Sequence, residues 1–223
     1  MSNPKSLHQG QPVWTAGAPL DQARAAMVML HGRGASAQSI LELASELAQP
    51  GFAYLAPQAA GGVWYPNRFL APMASNEPWL SSAMDSVNDT VHQIKAAGIP
   101  LDRTLLLGFS QGACLALEFA ARHAQHYGGI VGLSGGLIGP DGTPRDYAGT
   151  LAGTPVLLGC SDVDFHIPQE RVIHTAQVME QLGAQVTLRL YPNMDHTINT
   201  DEIDLVRSLM AAAVTQPQSS RSL

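Results

Sequence analysis

Short apolar runs alternate with amphipathic stretches along most of this chain. Several of the short runs, such as the one from Met27 to Leu30, are apolar without a break. Continuous apolar character is typical of strands that are covered on both faces, as in a parallel sheet between two layers of helices. The predicted strands span 13–16 at the sheet edge, 25–30, 52–56, 104–108, 129–133, 155–159 and 186–191.

Between these strands, apolar residues recur at the 3.6-residue period of an α-helix. The run from Gln111 to His123 is one predicted helix. Alternation of strands with helices favours right-handed crossovers, and it predicts an α/β fold with a mostly parallel sheet of about seven strands and helices on both faces. The other predicted helices bury Ile40, Leu43, Ala44 and Leu47; Leu80, Met84, Val87, Val91 and Ile94; Val172, Ala176, Met179 and Leu182; and Ile203, Val206, Met210 and Ala213.

Length and composition limit the number of domains. The chain has 223 residues, of which 45% are hydrophobic and 13% charged, which suits one compact α/β domain. The residues after Thr215 read Gln-Pro-Gln-Ser-Ser-Arg-Ser-Leu and have no apolar face to bury. We therefore expect one domain over 1–215, without a separate lid domain, and a mobile tail over 216–223.

Charge and cysteine content narrow the expected partners and location. The net charge is −6 and Lys and Arg do not cluster, whereas phosphate neutralisation needs grouped cations, so we expect no nucleic-acid partner. No apolar run is long enough to span a bilayer, and the first ten residues lack the apolar segment of a secretory signal. Cys114 and Cys160 fall in predicted core segments, as reduced thiols do in the cytosol. We expect a cytoplasmic protein.

A Gly-x-Ser-x-Gly pentapeptide, Gly108–Gly112, lies between the strand 104–108 and the helix that begins at Gln111. A serine on such a sharp strand-to-helix turn presents its hydroxyl to solvent, and the helix directs its N–H groups toward the reacting centre. The same pattern recurs around Ser134, but Gly- and Pro-rich sequence follows there and cannot begin a helix. Ser110 is therefore the candidate nucleophile, and Ser134 is predicted to lie in a loop at a strand end.

A serine nucleophile needs a base and an acid that orients the base. After a Gly-x-Ser-x-Gly serine the chain order is acid and then histidine, each following a strand. His196 is the histidine that follows the last predicted strand, so it is the candidate base. The preceding strand is followed by both Asp162 and Asp164, and spacing alone does not choose between them. A metal site formed by these aspartates and His166 is disfavoured because no second ligand cluster accompanies it, so we expect no metal and no cofactor.

The oxyanion of a tetrahedral intermediate needs two fixed donors. The backbone N–H of Gln111 is one candidate. The backbone N–H of Arg33, in the glycine-flanked turn after the strand 25–30, is the second. The same turn can also serve only to lead into Ser36, a candidate helix N-cap, and the two interpretations are compatible.

Two long segments, 57–78 and 135–155, resist assignment to regular structure. Both follow the carboxyl ends of predicted strands, where an open α/β sheet binds its ligand, and long loops inside compact domains are usually functional. Their apolar side chains are candidates for a small acyl or alcohol site, although packing beneath the loops explains each of them equally well. These candidate pocket residues are Trp64, Tyr65, Phe69, Met73, Leu137 and Ile138.

Four motifs together resemble the phospholipase/carboxylesterase family of α/β-hydrolases. They are His31-Gly32-Arg33-Gly34, Gly108-Phe109-Ser110-Gln111-Gly112, Asp164-Phe165-His166-Ile167-Pro168 and Met194-Asp195-His196, and the resemblance spans roughly 13–214. That family includes bacterial carboxylesterases, lysophospholipases and acyl-protein thioesterases. The resemblance implies the α/β-hydrolase fold and a homodimer.

The resemblance also implies roles for individual residues. It makes Asp164 the acid, because the family places the acid four residues before a proline and Pro168 stands there. It makes His196 the base and the backbones of Arg33 and Gln111 the oxyanion donors. Phe165 and Ser161 depart from the proline and glycine that are common in the family's acid loop.

The resulting hypothesis is a serine carboxylesterase that hydrolyses small, neutral, short-acyl esters through an acyl-enzyme on Ser110. The low charge of the loops favours a neutral substrate, and the lack of a separate lid domain favours small, soluble esters. A lysophospholipase or acyl thioesterase would use the same three side chains, because specificity depends on pocket shape. A hydrolase-shaped binding protein without turnover is the alternative outside enzymes.

Overall fold

A seven-stranded sheet runs through the middle of the structure, a computed structural model that describes residues 6–215. The strands are β1 (Val13–Gly17), β2 (Ala25–Leu30), β3 (Phe52–Pro57), β4 (Thr104–Phe109), β5 (Gly129–Leu133), β6 (Pro155–Ser161) and β7 (Gln185–Tyr191). Their order across the sheet is β1-β3-β2-β4-β5-β6-β7. β1 is antiparallel to β3, and the other neighbouring pairs are parallel. The predicted strands are confirmed, with ends that differ by one or two residues at most.

Five α-helices cover the two faces of the sheet. They are α1 (Ala37–Leu47), α2 (Trp79–Ala96), α3 (Gln111–Arg122), α4 (Gln169–Gln181) and α5 (Thr200–Thr215). The buried residues of α1 and α5 form a core on one face, and those of α2, α3 and α4 form the larger core on the other. The predicted two-layer covering is confirmed. Helix α3 ends one residue earlier than predicted, because His123 leaves the helical backbone with φ −116° and ψ 48°.

The direction of the crossovers reverses beside β2. The chain passes from β2 to β3 on one side and then returns to β4 on the other side. In open α/β sheets, ligands bind in the crevice that this reversal opens outside the carboxyl ends of the strands. The segments that follow β2 and β4 therefore face each other at the point where a binding site is expected.

The two long loops contain little regular structure. Short 3-10 turns at Ala60–Gly62 and Met73–Asn76 interrupt the connection from β3 to α2, and the connection from β5 to β6 runs without a helix. No separate lid domain occurs among residues 6–215, and no helix in that part of the chain is long and apolar enough to cross a membrane. The predicted mobile tail at 216–223 lies outside the described residues.

Candidate active site

Ser110 occupies the sharp turn between β4 and α3. Its backbone has φ 54° and ψ −118°, a conformation that is rare for a residue with a Cβ atom. The glycines on either side are required by close approach of the chain. A Cβ atom at Gly108 would collide with the backbone of Gly112, and one at Gly112 would collide with the carbonyl group of Leu30. The predicted strand-to-helix turn is thus present, and it is packed directly against the end of β2.

His196 joins Ser110 to Asp164. The Nε2 atom of His196 lies 2.9 Å from the Ser110 hydroxyl oxygen, and its Nδ1 atom lies 2.6 Å from the Asp164 carboxylate. The histidine belongs to the loop after β7 and the aspartate to the loop after β6, so the carboxyl ends of three parallel strands supply the three side chains. The structure therefore brings together residues that are far apart in sequence.

The hydrogen bonds of Asp164 determine which atom of the Asp164–His196 pair carries the proton. Burial acts to raise the pKa of Asp164, but hydrogen bonds from His196 and from the backbone amides of His166 and Ile167 outweigh burial and hold the pKa below its usual value. An ionised carboxylate only accepts hydrogen bonds, so Nδ1 of His196 must carry the proton. In the neutral imidazole Nε2 is then the acceptor, and the Ser110 hydroxyl donates to it. This is the arrangement that a general base requires.

The second aspartate of the loop has a structural role. Asp162 accepts a hydrogen bond of 2.9 Å from the backbone N–H of Asn193 and thereby ties the acid loop to the histidine loop. Of the two aspartates that spacing left open, Asp164 is the one whose carboxylate contacts His196. No group of three or more His, Cys, Asp or Glu side chains that could hold a metal ion occurs among residues 6–215.

The second Gly-x-Ser-x-Gly sequence forms no comparable turn. Ser134 also has a positive φ, 52°, but its side chain is fully buried and no helix begins after it. Its backbone N–H donates to the carbonyl of Gly159 at 2.7 Å and joins β5 to β6. The prediction that Ser134 is a residue of a loop at a strand end is confirmed.

The loop after β2 lies against the nucleophile. A Cβ atom built on Gly32 would be 3.4 Å from the Cβ of Ser110, so the glycine turn that carries Arg33 packs against the nucleophile. Gln111 is the first residue of α3, and its N–H has no partner within the helix. The alternative interpretation of the glycine turn holds as well, since Ser36 caps α1 in a reciprocal capping box.

The side chains of both candidate oxyanion donors bind the same backbone segment. The carbonyl of Tyr65 accepts from Nε2 of Gln111 at 2.8 Å and from a guanidinium nitrogen of Arg33 at 3.0 Å. Gln111 also accepts from the N–H of Trp64 at 3.0 Å, and Arg33 donates to the carbonyls of Pro66 and Asn67. The side chains of the two candidate donor residues, Arg33 and Gln111, therefore hold the segment 64–67 in place.

Two buried histidines whose roles were not predicted from the sequence support this region from behind. The ring of His31 accepts from the N–H of Ala59 at 3.1 Å, and the ring of His8 bonds the carbonyl of Trp64 at 3.0 Å and the N–H of Ala60 at 3.0 Å. Burial lowers the pKa of both histidines, so both are neutral near pH 7. His31 directly precedes the Gly32-Arg33-Gly34 turn, and this position in the sequence indicates a role beside the site. The sequence around His8 contains no motif that indicates such a role.

Ser110 opens onto a cavity of about 370 Å³. Of the six predicted pocket residues, Tyr65 and Phe69 line this cavity. The half-buried Phe109 and Ala35 also line it. Buried walls that were not predicted from the sequence come from Cys114 on α3 and from Ile167 in the acid loop. The side chains of Tyr65, Phe69, Cys114 and Ile167 are buried, so they form the inner end of the cavity.

The other four predicted pocket residues do not line the cavity, and the prediction is wrong for them. Trp64 turns into the core, where its indole N–H donates to the carbonyl of His31 at 2.9 Å. Leu137 and Ile138 are fully buried because their loop folds inward, and Arg171 holds the carbonyl of Leu137 at 2.9 Å. Met73 is half-buried and packs against the core beneath the loop.

The outer end of the cavity carries cationic and polar side chains. Arg33, Arg68 and His166 line it and are exposed. No Asp or Glu is among the described residues that line this cavity. The premise that the loops around the site carry little charge therefore fails at the cavity mouth, because Arg33 and Arg68 come together there from different loops.

Comparison with known proteins identifies the family. The model of the Phospholipase/Carboxylesterase family matches residues 16–213. The chain belongs to this family. Its solved relative from Dyadobacter fermentans, described as a phospholipase/carboxylesterase, is 41% identical with a TM-score of 0.88, and the alignment covers 94% of this chain and all of that one. The family resemblance and the α/β-hydrolase fold are thereby confirmed.

Other similar proteins are more distant. Esterase PE8 is 25% identical with a TM-score of 0.73 over 90% of this chain and 97% of that chain. Lysophospholipase-like protein 1 of Mus musculus is 26% identical over 85% of this chain and 87% of the mouse protein. Acyl-protein thioesterase 1 of Gibberella zeae is 30% identical over 55% of this chain, and the match spans only 53% of that protein. These relatives support a hydrolase of esters or thioesters.

Proposed function

We propose that this protein is a serine carboxylesterase that hydrolyses small, short-acyl carboxylic esters. The observation that carries the proposal is the continuous chain of hydrogen bonds from Ser110 through His196 to Asp164, at 2.9 and 2.6 Å. His196 takes the proton of the Ser110 hydroxyl as the oxygen attacks the ester carbonyl, and it passes this proton to the departing alcohol. Asp164 orients the imidazole and stabilises its charged form. Water then releases the acyl group by the reverse sequence of proton transfers.

The backbone amides of Arg33 and Gln111 are the proposed oxyanion donors. Each donor of this kind contributes about 3–4 kcal/mol to transition-state stabilisation in comparable enzymes. The side chains of Arg33 and Gln111 also hold the 64–67 segment, which supports donors that are in place before substrate binds. Such preorganisation is what makes backbone donors effective.

The shape of the cavity supports a short acyl chain. Its volume of about 370 Å³ is at the small end of the range of roughly 300–1,000 Å³ that is usual for ligand pockets. The buried walls formed by Tyr65, Phe69, Cys114 and Ile167 suit a neutral acyl group. The proposal of a neutral substrate applies only to the acyl group, because Arg33 and Arg68 lie at the outer end of the cavity.

Hydrolysis of p-nitrophenyl acetate and butyrate tests the proposal. Wild-type protein should hydrolyse both esters, and Ser110→Ala should lose several orders of magnitude in kcat. Ser134→Ala is the matched control, because it removes the hydroxyl of the second Gly-x-Ser-x-Gly sequence. Equal rates for wild type and Ser110→Ala would refute a serine esterase at this site.

Thioesters and lysophospholipids are the alternative substrates, and the names of two relatives favour including them. A panel of acetyl and butyryl esters, the matching thioesters and a lysophosphatidylcholine separates these classes. We expect the highest kcat/KM on the short oxygen esters. A higher value on the lysolipid would assign the protein to the lysophospholipases instead.

A binding protein without turnover is the alternative outside catalysis. A fluorophosphonate probe reacts only with an activated serine, so it should label Ser110 in the wild-type protein. Absence of labelling would favour the binding protein. A cytoplasmic location and a homodimer stay predictions, supported by the sequence and by the family resemblance respectively.

A further inference from the structure

The candidate cavity has two chemically different ends. Its inner walls are the buried side chains of Tyr65, Phe69, Cys114 and Ile167, whereas Arg68 and His166 are exposed at the opening. The protein as a whole has a net charge of −6, yet no carboxylate is among the described residues that line the cavity. A cationic opening in an acidic protein attracts anions toward this site.

The two arginines at the opening differ in what they bind. Arg33 uses its guanidinium nitrogens on the carbonyls of Tyr65, Pro66 and Asn67, at 3.0, 3.0 and 2.6 Å. The guanidinium of Arg68 has no hydrogen bond or ion pair with any other residue of the range 6–215. Arg68 therefore holds its full set of donors available to a ligand, while Arg33 adds positive charge at a fixed position.

We propose that the substrate is an ester whose alcohol portion carries a carboxylate, and that Arg68 binds this carboxylate at the mouth of the cavity. The inference rests on the proposed esterase function and specifies its substrate class. The inner walls are buried, apolar or weakly polar, and suit the acyl group, so the alcohol portion is the part of the ester that faces the opening. A planar guanidinium pairs with a carboxylate through two parallel hydrogen bonds. One guanidinium without a partner in the range 6–215 matches one negative charge, which favours a carboxylate over a phosphate dianion.

Two esters of the same size that differ in the charge of their alcohol portion test this proposal. 4-Acetoxybenzoate and 4-acetoxybenzamide share the acetyl group and the aromatic ring, but only the first has an anionic alcohol portion. We expect wild-type kcat/KM to be about tenfold higher on the benzoate, the low end of the effect of hydrogen bonds to charged groups, because the pair at the opening is exposed to solvent. This preference should weaken as salt is added, because screening reduces the attraction of an exposed charge.

Arg68→Gln should lower the ratio of the two kcat/KM values about tenfold, to near one. Lys95→Gln is the matched control. It also removes one exposed cation, but at the carboxyl end of α2, which leads to the amino end of β4 and so lies away from the site, and it should keep the wild-type ratio. A wild-type ratio of one or less, or a ratio that Arg68→Gln leaves unchanged, would overturn the proposal.

Faster hydrolysis of 4-acetoxyphenyl phosphate than of the benzoate would overturn the choice of a carboxylate. Activity on the neutral amide that Ser110→Ala abolishes would still support the esterase, so the two proposals fail separately.

Discussion

Replacement of Gln111 by Met tests whether its side chain holds the wall of the cavity. The side chain accepts from the N–H of Trp64 at 3.0 Å and donates to the carbonyl of Tyr65 at 2.8 Å, and both contacts are buried. Methionine has a similar length but makes neither hydrogen bond. The Tyr65 carbonyl keeps its second donor, Arg33, whereas the Trp64 N–H is left without an acceptor.

An unsatisfied buried N–H costs about 1–3 kcal/mol, and a carbonyl that keeps one of two donors costs little. We therefore expect Gln111→Met to lower the free energy of unfolding by about 2 kcal/mol. Gln111→Glu keeps an acceptor for Trp64 but places a carboxylate oxygen against the Tyr65 carbonyl. That variant should be less stable near neutral pH and should recover stability on acidification, since a protonated Glu can donate to the carbonyl again.

Urea unfolding at pH 5 and pH 8 measures both effects. Gln177→Met, at an exposed position of α4, is the matched control and should unfold like the wild type. Activity of Gln111→Met should fall by less than the roughly 100- to 1,000-fold that loss of one oxyanion donor costs, because its backbone N–H remains. If Gln111→Met and wild type unfold at the same urea concentration, the side chain does not hold the wall and this reasoning is wrong.

Three further perturbations have defined outcomes. Burial raises the pKa of Glu202 to about 7, so the folded state binds this proton more tightly than the unfolded state. The protonated carboxyl therefore contributes fully to the free energy of unfolding below about pH 4.3, the pKa of Glu in an unfolded chain, and roughly 3 kcal/mol of this contribution is lost as the pH rises to 7. Glu202→Gln should flatten this dependence in urea unfolding at several pH values, and an unchanged slope would contradict it. Gly112→Ala should destabilise the fold by roughly 3 kcal/mol or more, measured by thermal unfolding, since its Cβ would collide with the backbone at Leu30. Asp164→Asn should lower kcat by about 10⁴-fold while leaving the fold intact by circular dichroism, because the amide no longer selects the His196 tautomer; a loss below tenfold would argue against its role.

Local patterns were sufficient to predict the strands, the helices and two of the three side chains of the hydrogen-bonded chain at the site, Ser110 and His196. Ser110 lies between a strand and a helix that are both visible in the sequence, and His196 follows the last strand. The choice of Asp164 over Asp162 needed the family resemblance. Both aspartates occupy one turn, and only the folded backbone decides which carboxylate turns toward the histidine and which toward Asn193.

The lining of the cavity was beyond local patterns. Trp64 and Leu137 look like binding residues of two long loops, but their burial depends on the packing of those loops against α3 and α4. Arg68 carries no sequence signal, since its exposure and its lack of a partner in the range 6–215 are properties of the folded chain. His8 likewise acquires its role only when the N-terminal segment packs against Trp64.

Trapping the acyl-enzyme tests the central claim most directly. Wild-type protein mixed with p-nitrophenyl acetate, quenched in acid within the first turnovers and analysed by peptide mass spectrometry, should carry an acetyl group on Ser110. Under the same conditions His196→Ala should show no acetylated peptide. An acetyl group found on another residue, such as Ser134, or turnover without any trapped adduct on Ser110, would contradict the assignment of the nucleophile.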